Sequence, residues 1–167
     1  MMWLDDDVLR DSGRWLERGV IGLNLCPFAK AVHNKGQIHW CVSHAADASD
    51  LLVDLERELT TLANMDGSVR DTTLLVAPAA FADFLDFNDF LAGADALLRR
   101  LGLDVMLQIA SFHPQFQFAG TDTDDVTNAT NRSPYPTLHL IRESSMIGDK
   151  LTVGSVIFRA DSAVAGT

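Results

Sequence analysis

The alternation of strand-like and helix-like patterns between residues 37 and 141 constrains the fold of this chain more than any other feature. Short apolar runs predict strands, and longer leucine-rich runs predict helices between the first three of them. The predicted strands are 37–44, 72–77, 105–111 and 137–141, and the predicted helices are 50–65 and 88–101. Strands that alternate with helices pair in parallel through right-handed crossovers, whereas the last strand follows a loop and can run either way.

This order of elements predicts one domain of the α/β class, with α+β as the alternative. A third helix is expected near the N-terminus, where Asp5 to Asp7 supply the negative charge that a helix N-terminus favours. We therefore expect a single mixed sheet of four or more strands with three helices packed on it. A thioredoxin-like order is a weaker alternative, because the order of elements from residue 37 onward is compatible with that scaffold.

The ends of the helices are predicted from capping residues. These are Asp47 or Ser49 before helix 50–65, Asp86 or Asn88 at the start of helix 88–101, and Gly102 at its end. The N-terminal helix is expected to end near Gly19 or Gly22. The apolar segment 20–28 is ambiguous between a buried strand and a connection between helices.

The net charge of −10 narrows the classes of partner. With a sequence pI of about 4.7, the chain is negatively charged at neutral pH and repels polyanions. Binding to nucleic acid or to an anionic membrane is therefore disfavoured. The acidic N-terminus is the opposite of a secretory signal, and no apolar run is long enough to span a membrane. The expected location is the cytoplasm, where Cys26 and Cys41 would both be free thiols.

The polar chemistry is concentrated in the loop from His113 to Tyr135. A connection of about 24 residues in a compact domain indicates function or disorder. Because ligands of open α/β sheets bind beyond the carboxyl ends of parallel strands, His113 is a candidate acid or base. The alternative for His113 is a hydrogen bond to the loop backbone. Arg132 would hold an anionic substrate group, unless it pairs with aspartates of the same loop.

Four further residues belong to the candidate site. Ser111, Asn131 and Tyr135 would contact the substrate, and Cys26 would be a nucleophile if it lies nearby. The run Cys26-Pro27-Phe28 is similar to a glutaredoxin-type motif, in which a helix N-terminus lowers the thiol pKa. Ala29 stands where the second cysteine would be, which excludes dithiol chemistry there, and a buried structural thiol is the alternative.

The sequence names no cofactor. Its histidines form no local pair at metal-ligand spacing, so no metal site is predicted. It also contains no phosphate-binding glycine loop and no nucleophile elbow.

Several short motifs together resemble a known family. They are Leu23-Asn24-Leu25-Cys26-Pro27-Phe28-Ala29, Phe112-His113-Pro114, Gln117-Phe118 and Asn131-Arg132-Ser133-Pro134-Tyr135-Pro136. The chain resembles the bacterial domain-of-unknown-function family fourteen-fifteen from about residue 8 to residue 143. The length of the chain and the absence of an internal repeat or linker predict one domain over 1–143. A C-terminal tail or edge strand is expected at 144–167, where the chain departs from the family pattern. The resemblance implies no particular activity.

Three functions are compatible with these residues. The first is an enzyme for a small anionic substrate, with His113 as acid or base and Arg132 as the anion binder. The second is a non-catalytic module that binds an anionic metabolite with the same residues. The third is thiol redox chemistry at Cys26, which ranks last because Cys26 precedes the first predicted strand of the sheet, whereas a redox cysteine should follow it. The sequence leaves the oligomeric state open.

Overall fold

The fold is taken from a computed structural model, which describes residues 5–17, 38–67 and 69–143. Within these ranges the chain forms three α-helices, four strands and one 3₁₀ helix. In chain order they are α1 (Asp5–Trp15), β1 (Ile38–Val42), α2 (Ala48–Asn64), β2 (Thr72–Val76), α3 (Phe84–Arg100), β3 (Leu107–Phe112), the 3₁₀ helix (Val126–Asn131) and β4 (Thr137–Arg142). Cys26, the ambiguous segment 20–28 and the predicted tail 144–167 lie outside the described residues.

The four strands form one mixed sheet in the order β1-β2-β4-β3. β1 and β2 are parallel, while β4 runs antiparallel to both of its neighbours, β2 and β3. This arrangement confirms the predicted α/β fold with a mixed sheet and three helices. The thioredoxin-like alternative depended only on the order of elements along the chain. In the structure the last strand, β4, lies inside the sheet between β2 and β3.

The two faces of the sheet bury different sets of side chains. α2 and α3 pack on one face, where their leucine and phenylalanine side chains meet the odd-numbered residues of β2 and the even-numbered residues of β4. The opposite face carries a smaller cluster that includes Leu74, Phe112 and Ile141, together with Leu16 and Trp15 from the end of α1. Successive residues of the strands therefore point to opposite faces of the sheet, and apolar side chains are buried on both faces.

Both leucine-rich helices form where the sequence predicts them, but one boundary is wrong. α3 begins at Phe84, before the predicted Asp86 or Asn88, and Asp83 occupies its N-cap position. Phe84 and Phe87 extend the buried face of α3 by one turn. Spacings of three and four residues place side chains on one helix face, so these two residues belong to the same stripe as Phe90 and Leu91.

The start of β3 is also later than predicted. Val105 is 81% exposed and Met106 is 43% exposed, and the ladder begins at Leu107, which pairs with Arg142. At the other end, Phe112 extends the strand by one residue beyond the predicted Ser111 and pairs with Thr137. Residues 105 and 106 are apolar in the sequence, but they belong to the turn that leads from α3.

The predicted caps of α2 and α3 are present at one end of each helix. The Asp47 carboxylate accepts a hydrogen bond from the Asp50 amide, which satisfies one free donor at the start of α2. Gly102 follows α3 with φ of 71°, a left-handed conformation that favours glycine. The Leu103 amide then donates to the Leu98 carbonyl, which closes the helix as sequence analysis predicts.

Arg142 joins the end of the sheet to the end of α2. Its guanidinium donates hydrogen bonds to the carbonyls of Leu62 and Met65 at 2.7 Å and to the Arg70 carbonyl at 2.9 Å. The last carbonyls of a helix have no partner within the helix, and a cation there also interacts favourably with the helix dipole. Arg142 therefore fixes the connection between α2 and β2 against β4.

Replacing Leu55 with Ala is expected to lower the free energy of unfolding by about 2–5 kcal/mol, because the side chain is completely buried under α2. Val53 on the same helix is 63% exposed and provides a matched control. Val53→Ala should change stability by about 0.5 kcal/mol or less. Denaturant titration of the two variants measures this difference, and equal losses would contradict the assignment of the buried face.

Candidate functional site

The two ends of the long loop meet at the edge of β3. The His113 amide donates to the Asn131 carbonyl at 3.1 Å, and the Asn131 side-chain amide donates to the Ser111 carbonyl at 2.9 Å. Ser111, His113 and Asn131 are all buried. Because β3 and β4 are antiparallel, the end of one and the start of the other lie at the same edge of the sheet. Three of the predicted site residues are therefore brought together.

The His113 side chain bridges two segments of backbone. Its Nε2 lies 2.7 Å from the Phe81 carbonyl, and its Nδ1 accepts a hydrogen bond from the Gln115 amide at 3.0 Å. A ring that accepts at Nδ1 carries its proton on Nε2, so Nε2 donates to Phe81. The ring centroids of Phe84 and Phe87 lie 5.4 Å and 5.2 Å from the imidazole centroid. This geometry matches the backbone-bonding alternative for His113.

The surroundings of His113 favour a neutral ring. Burial lowers its pKa, and this outweighs the hydrogen bond to Phe81 and the charge of Asp83, both of which raise it. The side chain has no exposed surface. A general acid or base needs a nitrogen within reach of the substrate. In the described arrangement both nitrogens are already bonded to backbone groups, Nε2 to the Phe81 carbonyl and Nδ1 to the Gln115 amide.

Phe81, the residue that His113 holds, has a strained backbone. Its φ is +53°, which is rare for a residue with a bulky side chain. Its ring lies 5.0 Å from that of Phe90 and 6.0 Å from that of Phe87. Conformations of this kind cost about 1–3 kcal/mol and persist where the surroundings over-determine them, and they cluster at functional sites.

Phe81 forms part of the wall of an open cleft, which we call the carboxyl-edge cleft. It has a volume of about 750 Å³ and is lined by residues 46–48, 79, 81–83, 86, 89 and 90. These residues follow β1 and β2 in the chain, so the cleft lies beyond the carboxyl ends of two parallel strands. Ligands of α/β sheets usually bind at this edge. Two other clefts lie on the outer surfaces of α2 and α3, away from the long loop.

Four carboxylates give the carboxyl-edge cleft a negative charge. They belong to Asp47, Asp83, Asp86 and Asp89. Asp83 occupies the N-cap position of α3, but its side chain makes no capping hydrogen bond. The remaining surface is apolar, with the rings of Phe81 and Phe90 beside four alanines at 46, 48, 79 and 82.

The site residues that the sequence predicts within the described ranges lie in and beside the loop after β3, and none of them lines the carboxyl-edge cleft. The signal for the cleft was present in Pro78-Ala79-Ala80-Phe81-Ala82-Asp83, which directly follows a buried strand. A connection at the carboxyl end of a parallel strand is a site candidate. The strain at Phe81 depends on tertiary contacts and has no signature in the sequence.

Arg132 is bonded to the loop itself. Its Nε donates to the Phe116 carbonyl at 3.0 Å, and its Nη2 donates to the Thr123 carbonyl at 2.6 Å. The acceptors are backbone carbonyls rather than the aspartates of the same loop. Asp125 instead accepts hydrogen bonds from the amide and hydroxyl of Thr127, at the start of the 3₁₀ helix.

Tyr135 connects the loop to α1. Its hydroxyl donates to an Asp11 carboxylate oxygen at 2.6 Å. Partial burial and then Asp11 raise the pKa of Tyr135 to about 12, so the phenol is neutral at physiological pH. The Tyr135 hydroxyl is therefore bonded to α1. The residues that line the carboxyl-edge cleft belong to α2, to α3 and to the connections that precede these two helices.

His139 is a second buried histidine, and it lies on the sheet face that α1 covers. It stands between Leu74 and Ala110 in the register of the sheet, and its ring centroid is 6.3 Å from that of Phe112. Burial lowers the pKa of His139 to about 4. Sequence analysis did not include His139 among the candidate site residues.

The described residues show neither a metal centre nor a membrane span. Among them, no group of three or more His, Cys, Asp or Glu side chains is arranged to hold a metal ion. None of their helices has the length and apolar character that crossing a bilayer requires.

Comparison with known proteins relates this chain to one family. Residues 7–151 match the family described as "Protein of unknown function (DUF1415)". The chain belongs to this family. No curated protein and no solved structure matches the chain. The family match covers the residues of the candidate loop and of the carboxyl-edge cleft.

The buried ring of His139 predicts an acid-sensitive fold. The unfolded chain takes up a proton near the ordinary pKa of 6.5, whereas the folded protein does so near pH 4. Between these values the unfolded state binds more protons, so the free energy of unfolding falls as the pH falls. The loss from this one residue is roughly 3 kcal/mol by pH 4, since one pKa unit corresponds to about 1.4 kcal/mol.

Denaturant titrations of the wild type and of His139→Leu at pH 7 and pH 4.5 measure this contribution. The variant has no ring to protonate, so its stability is expected to fall less between the two pH values. Carboxylates contribute to both proteins alike, and the difference between the two slopes isolates His139. Parallel pH profiles would show that the buried ring does not carry this dependence.

Proposed function

We propose that this domain binds a small molecule in the carboxyl-edge cleft, with the long loop as its rigid support. The observation that carries the proposal is the left-handed backbone of Phe81 in the cleft wall, held by the buried ring of His113. The fold maintains a strained conformation at the edge of the sheet where ligands usually bind. The loop residues fix the wall of the cleft from behind.

The charge of the cleft favours a ligand with a positively charged group attached to an apolar body. Asp83, Asp86 and Asp89 would attract an ammonium group, and the half-buried ring of Phe81 would contribute cation–π attraction. The sequence-based hypothesis of an anionic substrate depended on Arg132, whose described hydrogen bonds go to backbone carbonyls. We therefore propose a cationic ligand in place of an anionic one.

Binding without chemistry is the function that the geometry favours over catalysis. An enzyme that uses His113 as acid or base would need the ring to leave its hydrogen bonds with Phe81 and Gln115. Catalysis or redox chemistry at Cys26 rests on a residue outside the described ranges. Both remain hypotheses from the sequence, without a supporting contact among the described residues.

A thermal-shift screen of primary amines and of carboxylates with the same apolar bodies tests the sign of the ligand. Amines are expected to raise the melting temperature, because a ligand that binds only the folded state stabilises it by mass action. Carboxylates are expected to have no effect. Stabilisation by carboxylates instead of amines would overturn the cationic ligand, and no shift with either class would count against the cleft as a binding site.

Charge-removing variants test whether the amine binds in the carboxyl-edge cleft. Asp83→Asn and Asp86→Asn should each weaken binding by about 1.4- to fivefold at low ionic strength, since an exposed ion pair typically contributes 0.2–1 kcal/mol. Asp95→Asn is the matched control, because Asp95 also lies on α3 but pairs with Arg99 outside the cleft. Equal effects of all three variants would indicate only a change in net charge.

The supporting role of His113 is tested by His113→Phe, which keeps a ring between Phe84 and Phe87 but removes both hydrogen bonds. The Phe81 carbonyl would lose its donor, so the free energy of unfolding should fall by about 1–3 kcal/mol. Amine affinity should fall as well, although His113 does not line the cleft. Isothermal titration of folded His113→Phe measures the affinity, and wild-type affinity would separate the loop from the binding site.

A further inference from the structure

A polar seam runs between β1 and α2, on the side of the sheet away from α1. Three alternate residues, two in β1 and one just after it, direct their side chains toward α2. Three side chains of α2 face them. They are His39, Cys41 and Ser43 on one side and Asp54, Arg57 and Glu58 on the other.

Most polar groups of the polar seam are paired by direct hydrogen bonds. The Ser43 hydroxyl donates to Asp54 at 2.5 Å, and Arg57 donates to Asp54 at 3.0 Å and to Glu58 Oε2 at 3.1 Å. Arg57 also approaches the Cys41 sulfur at 4.0 Å. Five groups are thus paired across or along the seam.

The inner end of the polar seam is different, because its polar atoms approach without bonding. Glu58 Oε1 lies 3.7 Å from His39 Nε2 and 4.0 Å from Arg70 Nη1. Both distances exceed that of a hydrogen bond. Glu58 Oε1, Arg70 Nη1 and the Thr73 hydroxyl are buried and have no hydrogen-bond partner among the described residues. The Glu58 side chain is only 9% exposed.

Two of these atoms, Glu58 Oε1 and Arg70 Nη1, lie 4.0 Å apart, and the third belongs to the neighbour of His39 in the sheet. Thr73 is paired with His39 in the register of the sheet, so both side chains point to the face that α2 covers. A buried polar group without a partner costs about 1–3 kcal/mol, and more for a charged group. Native proteins rarely leave such groups unsatisfied, and each one therefore calls for a bound partner.

The chemistry of the three atoms restricts that partner. A cation would satisfy Glu58 Oε1 but would be repelled by Arg70. An anion would satisfy Arg70 Nη1 but would be repelled by Glu58. The described residues also provide no metal-binding group here. The partner must donate to a carboxylate and accept from a guanidinium, which a small neutral molecule with both functions can do.

We propose that one ordered water molecule binds at the inner end of the polar seam, between Glu58, Arg70 and Thr73. A molecule that makes hydrogen bonds of about 2.9 Å to both Glu58 Oε1 and Arg70 Nη1 spans the 4.0 Å between them. Internal waters typically make about three hydrogen bonds to buried polar groups. The water joins α2 to the connection before β2 and completes the ion pair of Glu58 and Arg70.

A crystal structure at a resolution that shows ordered solvent tests the proposal directly. We expect a water within about 3.2 Å of both Glu58 Oε1 and Arg70 Nη1. A direct Glu58–Arg70 hydrogen bond without a molecule between them would overturn it. Density for an ion in place of water would overturn it too.

Water-selective NMR tests the same site in solution. A cross-peak from water to the Arg70 guanidinium is expected in the wild type and should be lost in Glu58→Leu, which removes one anchor. Arg142 is the internal control, because its Nη2 bonds directly to the carbonyls of Leu62, Met65 and Arg70 and its signal should not change. Thr73→Val is a milder second variant, in which the Arg70 cross-peak should weaken. An unchanged cross-peak in both folded variants would overturn the site.

Discussion

The two hydrogen bonds of the neutral His113 imidazole are the interactions that hold the connections at the edge of the sheet together. The ring donates from Nε2 to the Phe81 carbonyl and accepts at Nδ1 from the Gln115 amide, so two connections are joined through one side chain. Only the Nε2-protonated, uncharged ring can make both bonds. Burial against Phe84 and Phe87 maintains that state by disfavouring the charged form. The carbonyl of Phe81, in the strained wall of the carboxyl-edge cleft, is bonded to this ring.

The position of β4 explains why the long loop is ordered around that ring. β4 enters between β2 and β3, so the loop leaves one edge strand and returns to the adjacent position inside the sheet. Its two ends are held together by the hydrogen bonds between His113 and Asn131 and between Asn131 and Ser111. Farther along the loop, the Asn128 side chain bonds the Phe118 amide and the Asp122 carbonyl. Polar side chains of the loop therefore satisfy its backbone, which a buried loop requires.

The same use of polar side chains recurs at the opposite end of the sheet. Arg142 bonds the carbonyls at the end of α2, while Glu58 and Arg70 form a buried ion pair beside it. Buried charges need complete hydrogen bonding to offset the loss of water. The carboxyl-edge cleft differs, because its aspartates are exposed and no Lys or Arg among the described residues lines it.

The helices, the strands and the class of fold follow from the sequence, because periodicity is a local property. The spacing of Leu51, Leu55 and Leu59 identifies the buried face of α2, and Gly102 marks the end of α3 by its conformational freedom. The sequence also places His113 directly after a strand, at the carboxyl edge of the sheet. It does not determine what His113 does. A histidine in a polar loop has the same signature whether its ring faces a substrate or a carbonyl, and the partner, Phe81, lies 32 residues away. The hydrogen-bond partners of His113 and Arg132, the acidic cleft and the insertion of β4 depend on contacts between distant segments, because only the folded chain determines which polar groups are paired with one another and which remain exposed.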